Sequence, residues 1–273
     1  MVAEGCRGYS LPRPFLPSLV PNRTRLALRQ VSVVVLLSLV ASVAAFAQGR
    51  TPSQEETVTW KNCGTTCGAS AGSGAVAYGT QTLVSGTSLD GVAAEFALNP
   101  KDPYGNYYWY VDLAKPASGA TIDRRYVEYV FSVYVPATYD TAWRGVEWGV
   151  SVRNQGWWWR SAYQLSKGSG FRFYDPSQKA WISTGVALFN FAPGQWHQVR
   201  VRSQLFSTST DHRIQHLFIE IDGVRKTLTS KSNKAVKDGS SSNTYKASFQ
   251  LDGGKLPVPY SVYFDKMLVS SWF

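Results

Sequence analysis

Tyr126-Val-Glu-Tyr-Val-Phe-Ser-Val-Tyr-Val135 decides the fold class, because apolar side chains recur along it with a period of two. Every odd-numbered position from Val127 to Val135 is apolar or aromatic, whereas the even-numbered positions include Glu128 and Ser132. Successive side chains of a β-strand point to opposite faces of the sheet. The stretch therefore predicts a strand with one buried face and one outward face.

The same alternation recurs further along the chain, in His197–Arg202 and Ile214–Ile221, and turn-forming pairs such as Asp222-Gly223 bound these segments. Residues 229–244 are polar and predict a long loop, and no stretch of twelve or more residues has a helical period. Many short strands without helices predict an all-β fold, a two-sheet antiparallel β-sandwich of the jelly-roll type. The further predicted strands are 75–84, 92–98, 106–113, 144–153, 157–166, 170–174, 180–190, 245–251 and 260–270.

The composition of the 273-residue chain excludes several classes of protein. With 44% hydrophobic and 14% aromatic residues, the chain is not intrinsically disordered. The first 47 residues hold five of the 28 basic and one of the 18 acidic side chains, so residues 48–273 carry a net charge of +6. The basic residues are scattered rather than clustered, which argues against a nucleic-acid partner.

The one long apolar run, Val31–Phe46, follows an Arg-containing segment near the N-terminus. It leads into Ala45-Phe46-Ala47, which fits the small-x-small rule of signal peptidase. Residues 1–47 are therefore interpreted as a signal peptide, and we expect a secreted or periplasmic protein without stable membrane insertion after cleavage. The alternative is an uncleaved anchor, for which a run of about 16 residues is short.

Residues 48–74 are polar or rich in Gly, Ser and Ala, and they predict a flexible lead-in to the sandwich. They contain Cys63 and Cys67, which predict a local disulfide in an oxidising compartment. The disulfide would close a short loop, so its stabilisation is only about 2 kcal/mol. The alternative is half of a metal site, but zinc takes four ligands and the histidines lie far along the chain, at His197, His212 and His216.

Four segments follow one another over about 180 residues: Ser88–Phe96, Pro193–Arg202 with its Gly-Gln-Trp-His-Gln-Val, Leu217–Val224 with its Asp-Gly turn, and Tyr260–Val269. In this order they resemble strands of the concanavalin A-like lectin/glucanase domains, a superfamily that includes laminin-G-like modules. The resemblance implies that residues 75–273 form two antiparallel sheets, one of them concave. The superfamily contains lectins, glycosidases and polysaccharide lyases, so the fold leaves the function open.

The same resemblance suggests two acidic positions to inspect. Asp265 stands where some members hold a structural calcium ion, which makes it a candidate metal ligand, although calcium takes about six to eight oxygens. Laminarinase-type members carry Glu-x-Asp-x-x-Glu, as nucleophile, helper and acid/base. Here Glu220-Ile-Asp222-Gly-Val-Arg225 has Arg at the acid/base position and Gly223 predicts a hairpin turn, so no catalytic residue is assigned.

Glu147 is the one acidic residue of its predicted strand, and its expected ion-pair partner is Arg144 or Arg153. It therefore supplies no carboxylate pair for a glycosidase, but polysaccharide lyases of this fold need no such pair. A lyase uses Tyr or His to take a proton from the sugar and Arg, Gln or Asn to neutralise the uronate carboxylate. The strand patterns of alginate lyases are absent, so a lyase is the alternative interpretation. Its candidate residues are Tyr163, Gln164, Arg153, Arg160, His197 and Arg200.

The run Trp157-Trp158-Trp159-Arg160 is the most unusual feature of the sequence. In a strand, Trp157 and Trp159 share one face while Trp158 and Arg160 share the other, so at least one Trp is expected to face outward. Outward Trp and Tyr rings stack on sugar rings, whereas the alternative is that these rings cap the core. The predicted ligand-binding residues are Trp157, Trp158, Trp159, Arg160, Tyr163 and Arg153.

A basic groove that suits an acidic polysaccharide is a further expectation, and scattered solvated charges are its alternative. Its candidates are Arg153, Arg160, Lys167, Arg172, Arg200 and Arg202. The sequence thus favours an exported, non-catalytic carbohydrate-binding module whose partner is a polysaccharide or glycan, with structural calcium as the one cofactor considered. The alternatives are a polysaccharide lyase or glycoside hydrolase of the same fold and a structural surface module without a glycan ligand.

Overall fold

The computed structural model describes residues 55–56, 68–71, 76–113, 122–123, 125–139, 141–186, 191–241 and 243–272. The predicted signal peptide, Cys63, Cys67 and residues 187–190 lie outside these ranges. Among the described residues, no helix is long and apolar enough to cross a membrane. Apart from one 3-10 turn, Ala137–Tyr139, their regular structure is β-strand.

The alternating sequence pattern produces strands at nearly every predicted place. Residues 157–166 form a strand with the predicted ends, whereas the strand predicted over 180–190 ends at Ser183. The strands are β1 (Glu55–Glu56), β2 (Gly68–Ala71), β3 (Ala77–Val84), β4 (Ala93–Pro100), β5 (Asn106–Asp112), β6 (Tyr126–Tyr134), β7 (Trp143–Asn154), β8 (Trp157–Ser166), β9 (Gly170–Asp175), β10 (Ala180–Ser183), β11 (Trp196–Ser207), β12 (His212–Ile221), β13 (Val224–Thr227), β14 (Ser232–Lys234), β15 (Val236–Lys237), β16 (Thr244–Gly253) and β17 (Tyr260–Trp272).

These strands form two antiparallel sheets, which confirms the predicted β-sandwich. The front sheet has the order β10-β9-β8-β7-β16-β5-β2, and β15 pairs with β8. The back sheet has the order β13-β12-β11-β6-β17-β4-β3, with β1 on β17 and β14 on β12. Neighbours in each sheet are often distant in sequence, so side chains from remote segments meet on one face.

The core lies between the sheets and is rich in aromatic rings. Phe131 of β6 stacks on Phe264 of β17, with ring centroids 4.8 Å apart, and meets Trp148 of β7 edge-on at 5.3 Å. Phe249 of β16 lies 4.0 Å from Phe264. Rings from both sheets therefore interlock, and each aromatic pair contributes roughly 0.5–1.5 kcal/mol beyond the burial of its area.

Two segments expected to lack regular structure contain strands. Residues 229–244 were expected to be a loop, yet they include β14 and β15, which pair with β12 and β8. The lead-in 48–74 contains β1 and β2. In both cases a neighbouring strand supplies backbone partners that the local composition does not predict.

Candidate functional site on the front sheet

A row of polar side chains crosses the outward face of the front sheet. Gln250 of β16 lies opposite Glu147 of β7, which lies opposite Gln164 of β8, followed by Arg172 of β9. Tyr108 of β5 lies opposite Gln250 and completes the row. Residues directly opposite one another in antiparallel strands share a face, so these five side chains are neighbours.

Glu147 is the buried centre of this row. The Nε2 atom of Gln164 donates hydrogen bonds to Glu147 Oε1 at 2.7 Å and to Asp252 Oδ2 at 2.9 Å. Gln250 Nε2 donates to the other oxygen of Asp252 at 2.8 Å, and the Arg172 guanidinium donates to Gln164 Oε1. The two carboxyl groups are thus held together by a chain of amide and guanidinium donors.

Burial raises the pKa of Glu147 well above its usual range, and the neighbouring Asp252 charge raises it further. Burial also raises the pKa of Asp252, although its hydrogen bonds to Gln250 and Gln164 oppose that effect. Two neighbouring carboxylate charges cannot both be stable in a desolvated site. The pair therefore retains a proton at pH values where isolated carboxyl groups have lost theirs.

The partner of Glu147 differs from the expected one. The sequence indicated an ion pair with Arg144 or Arg153, but the structure places Gln164 and Asp252 beside it. A Cβ atom at Gly145 would lie 2.8 Å from Asp252 Oδ2, so this glycine makes room for the second carboxyl group. Register in the sheet, and not sequence proximity, selects the partner.

A floor of small side chains lies next to the carboxyl pair. Ser248, Gly149 and Ala162 are consecutive cross-strand partners of β16, β7 and β8. A Cβ atom at Gly149 would lie 2.7 Å from the Ala162 Cα, so the position accepts no side chain without displacement of the backbone. The floor leaves a cavity of about 20 Å³ whose rim includes Tyr108, Glu147, Arg160 and Gln250.

Aromatic rings stand on both sides of this floor. On one side, the rings of Tyr108 and Tyr110 stack with centroids 5.7 Å apart. On the other side, the Arg160 guanidinium lies 5.8 Å from the centre of the Trp158 ring and 4.7 Å from that of Tyr174. The arrangement is a shallow groove with aromatic walls, a small-residue floor and a cation.

The predicted Trp run separates as strand geometry requires. Trp158 faces outward, where its Nε1 donates to Ser151 Oγ at 2.7 Å and Arg153 lies 5.2 Å from its ring. Trp159 is buried in the core and donates from Nε1 to the Phe206 carbonyl at 3.1 Å. Trp157 packs on the core side and stacks on His212 with centroids 3.9 Å apart.

Tyr163, another predicted ligand-binding residue, is fully buried between the sheets. Its hydroxyl lies 2.5 Å from Ser203 Oγ and 2.8 Å from His216 Nδ1. Burial raises the pKa of Tyr163 to about 12. Of the predicted ligand-binding residues, only Trp158, Arg160 and Arg153 meet on the outward face of the front sheet.

The lyase candidates do not converge on one site. His197 is buried, with Nδ1 2.6 Å from Asp222 Oδ2 and Nε2 3.0 Å from the Ala192 carbonyl oxygen. Arg200 lies on the back sheet, 3.0 Å from Glu128. Of these candidates, Gln164, Arg160 and Arg153 lie on the outward face of the front sheet. Tyr108 lines the small cavity and was not among the predicted site residues.

The expected basic groove is also divided between the sheets. Arg153, Arg160 and Arg172 lie on the front sheet, whereas Arg202 lies on the back sheet and forms an ion pair with Glu128 at 2.7 Å. Lys167 follows β8 and lies 5.6 Å from the ring of Trp143. The front-sheet groove therefore holds three of the six predicted basic residues.

Asp265 anchors a loop of the back sheet. Its Oδ2 accepts a hydrogen bond from the Leu89 amide at 2.7 Å, and its Oδ1 accepts one from the Lys266 amide at 2.8 Å. Within the described ranges, no group of three or more His, Cys, Asp or Glu side chains could hold a metal ion. The role of Asp265 as a calcium ligand stays a prediction.

The glucanase-like stretch forms a hairpin. Asp222 and Gly223 have φ angles of 50° and 79°, which suit a tight turn between β12 and β13. Arg225 donates to Glu220 at 2.8 Å, and Asp222 accepts from the Gln198 amide at 2.8 Å. The hairpin turn is the one predicted from Gly223, and both acidic side chains have structural partners.

The chain matches no protein-family model and no curated protein. It is similar to the solved structure of an alginate lyase, Aly36B, with 14% identity, coverage of 67% of this chain and 81% of that chain, and a TM-score of 0.40. It is also similar to an alginate lyase from Chlorella virus, with 13% identity, coverage of 70% and 89%, and a TM-score of 0.42. Lectin I-B4 from Griffonia simplicifolia is 10% identical, with coverage of 78% and 96% and a TM-score of 0.43. These neighbours are β-sandwich proteins, the architecture that the strand motifs predicted.

Proposed function

We propose that the outward face of the front sheet binds a carboxylate-bearing polysaccharide without cleaving it. The proposal rests on the position of Arg160, whose guanidinium lies between the rings of Trp158 and Tyr174 at the rim of the small-residue floor. Aromatic faces accept the apolar faces of sugar rings, and a guanidinium pairs with a uronate carboxylate. These two kinds of group are what binding of an acidic glycan requires.

The charge of the groove favours an acidic ligand. Arg153 is paired with Asp238 at 2.7 Å, so its charge is largely compensated. Arg160 faces Glu147, but burial and the Asp252 charge raise the pKa of Glu147 and so disfavour the ionised form that would cancel the charge of Arg160. The cation at the rim of the cavity is therefore available to a ligand carboxylate.

The room above the floor favours a polymer over a small molecule. Gly149 and Ala162 add little side-chain bulk to the sheet surface between the two aromatic walls, and the cavity itself has a volume of only about 20 Å³. A shallow groove of this kind contacts one face of an extended chain. Several weak stacking contacts along one polymer chain then give a higher affinity than any single contact.

Native gels that each contain one acidic or one neutral polysaccharide test this function. Retarded migration of the wild-type protein in an acidic gel is expected, with the polymer left intact. Trp158→Ala and Arg160→Gln should each weaken the retardation roughly tenfold, since each removes a contact of about 1–2 kcal/mol. Tyr104→Ala removes a ring that is 56% exposed in a loop, and serves as the matched control. Unchanged retardation of both groove variants would refute the proposed site.

A polysaccharide lyase is the second candidate, because Tyr108 lines the same cavity as Glu147 and Arg160. Tyr108 could take the proton beside the uronate carboxylate while the guanidinium neutralises that carboxylate. The protonated form of Glu147 could give its proton to the glycosidic oxygen as its bond to the sugar breaks and a carbon–carbon double bond forms. Ultraviolet absorbance of the unsaturated product, lost in Tyr108→Phe with binding retained, would establish a lyase. Absence of that absorbance across acidic polymers that are bound leaves binding as the function.

A further inference from the structure

The outward face of the back sheet carries a second open cavity, on the side of the sandwich opposite to Arg160. Its volume is about 300 Å³, at the lower end of the range for ligand pockets. The residues that the argument uses are Tyr78, Thr80, Ala97, Asn99, Tyr139 and Ser261.

Strand register builds this cavity from a small floor and two aromatic rings. Ser261 of β17, Ala97 of β4 and Thr80 of β3 are consecutive cross-strand partners and form the floor. Tyr78 lies two residues before Thr80 on the same face of β3 and is 59% exposed. Tyr139 of the 3-10 turn supplies the second ring. An exposed ring beside a floor of short side chains leaves space for a flat ligand against Tyr78.

The polar groups around the floor have capacity to bind a ligand. The side chains of Thr80, Asn99, Tyr139 and Ser261 form no hydrogen bond with another side chain or backbone group in the described part of the chain. Together they offer three hydroxyl groups and one amide, which donate and accept equally well. A hydroxyl-rich ligand would find complementary partners on every side of the cavity.

The cavity is uncharged, in contrast to the front-sheet groove. No acidic or basic side chain lines it. The Lys101 ammonium, which is not part of the lining, lies 5.9 Å from the centre of the Tyr78 ring. Glu95 is directed elsewhere, since it accepts from the Thr82 and Tyr263 hydroxyls at 3.4 Å each. The lining therefore offers a ligand hydroxyl, amide and aromatic groups but no charged partner.

An aromatic row continues from the cavity across the back sheet. Tyr263, two residues after Ser261, lies opposite Tyr134, which lies opposite Trp196. Neighbouring ring centroids in this row are 6.0 Å and 5.6 Å apart. The row offers further stacking positions to a ligand that is longer than one sugar unit.

We propose that this cavity binds a neutral oligosaccharide, with one sugar ring on Tyr78 and its hydroxyl groups bonded to Thr80, Asn99 and Ser261. The proposal is independent of the front-sheet site, because the two surfaces lie on different sheets and share no residue. A protein with both sites would bind an acidic and a neutral polysaccharide at once and could bridge them.

The test uses the purified full-length chain in native gels that contain mixed-linkage β-glucan, galactomannan, xyloglucan or no polymer. The wild-type protein is expected to be retarded in at least one neutral gel. Tyr78→Ala should weaken that retardation roughly tenfold, whereas Tyr78→Trp should preserve it, because stacking needs a ring and not the hydroxyl group. Tyr78 is exposed, so neither variant should disturb folding, and thermal unfolding checks this.

Trp158→Ala is the matched control, since it alters an aromatic ring on the other face. It should leave neutral binding unchanged, and Tyr78→Ala should leave any acidic binding unchanged. Absence of retardation in every neutral gel overturns the proposal, as does equal retardation of Tyr78→Ala and the wild-type protein. Loss of neutral binding in Trp158→Ala alone would assign the neutral ligand to the front sheet and also overturn it. A failure of acidic binding by itself concerns the front-sheet proposal only.

Discussion

Acid is expected to destabilise this protein through His216, which is fully buried between the sheets. Its Nδ1 lies 2.8 Å from the Tyr163 hydroxyl, and its Nε2 lies 2.6 Å from Asn233 Oδ1. This geometry fits a neutral ring that accepts a hydrogen bond from Tyr163 and donates one to Asn233. Burial lowers the pKa of His216 from 6.5 to about 4.

The magnitude follows from the difference between the folded and unfolded pKa values of this group. The unfolded chain takes up a proton near pH 6.5, whereas the folded protein does so only near pH 4. Between these values the unfolded state binds the extra proton, so the stability that is fully present above pH 6.5 falls as the pH falls. From about pH 7.5 to about pH 4.5 the loss of unfolding free energy is about 2.5 kcal/mol from this residue alone.

Urea unfolding at several pH values measures this loss, with His216→Gln as the variant that cannot titrate. The variant should be less stable at neutral pH, because it loses packing and a hydrogen bond, but its stability should fall by about 2.5 kcal/mol less on acidification. Groups that titrate in both proteins, such as Glu128, cancel in the comparison. His212→Gln alters a histidine that is only partly buried, and should retain most of the wild-type acid sensitivity.

Equal pH dependence of the wild-type protein and His216→Gln would refute this reasoning. An NMR titration of the wild-type His216 ring gives a second measurement that does not depend on the stability of the variant. A ring that remains neutral down to about pH 4.5 supports the argument. A ring that titrates near 6.5 in the folded protein contradicts it.

Three further predictions concern the front sheet and the core. Because folding raises the pKa of Glu147, the wild-type protein loses stability as the pH rises above the unfolded pKa of this group. Glu147→Gln lacks this titration, so its unfolding free energy minus that of the wild-type protein should increase from pH 4.5 to pH 8. Urea unfolding measures this difference, and a difference that is constant with pH would contradict the prediction. Phe131→Ala should cost about 3–5 kcal/mol in chemical denaturation, since its ring packs against both sheets, and a cost below about 1 kcal/mol would contradict that packing. Gly149→Val should lower the melting temperature sharply, because the new Cβ would lie 2.6 Å from the Ser161 carbonyl oxygen. Gly86→Ala is the control and should leave the melting temperature nearly unchanged, because no atom lies within 4 Å of its new Cβ.

The shared face of Trp158 and Arg160 was accessible from the sequence, because a period of two fixes relative faces within one strand. The same rule placed Trp157 and Trp159 together on the opposite face. It could not say which face was the core, so Trp159 and Tyr163 remained among the predicted ligand-binding residues. Only the other sheet, packed against that face, buries them.

The carboxyl pair was not accessible from the sequence. Glu147 and Asp252 are more than 100 residues apart and meet because β16 pairs with β7 in one register. A shift of that register by one residue would turn Asp252 toward the core and leave Glu147 without its partner. Local patterns carry no information about such a register. One feature of the sequence did indicate a close neighbour of Glu147, namely Gly145 and Gly149 on either side of it. Glycine inside a strand indicates close approach by another group.

The charge of the front-sheet groove depends on this pairing as much as on its arginines. If Glu147 were ionised, it would neutralise Arg160 and the cavity would offer an anionic ligand no net attraction. Burial and the Asp252 charge raise the pKa of Glu147, and Asp252 is held in place by Gln164 and Gln250. The positive charge that the groove offers to a ligand therefore depends on two acids that share one desolvated position, and a chain with the same composition in another register would lack this pairing.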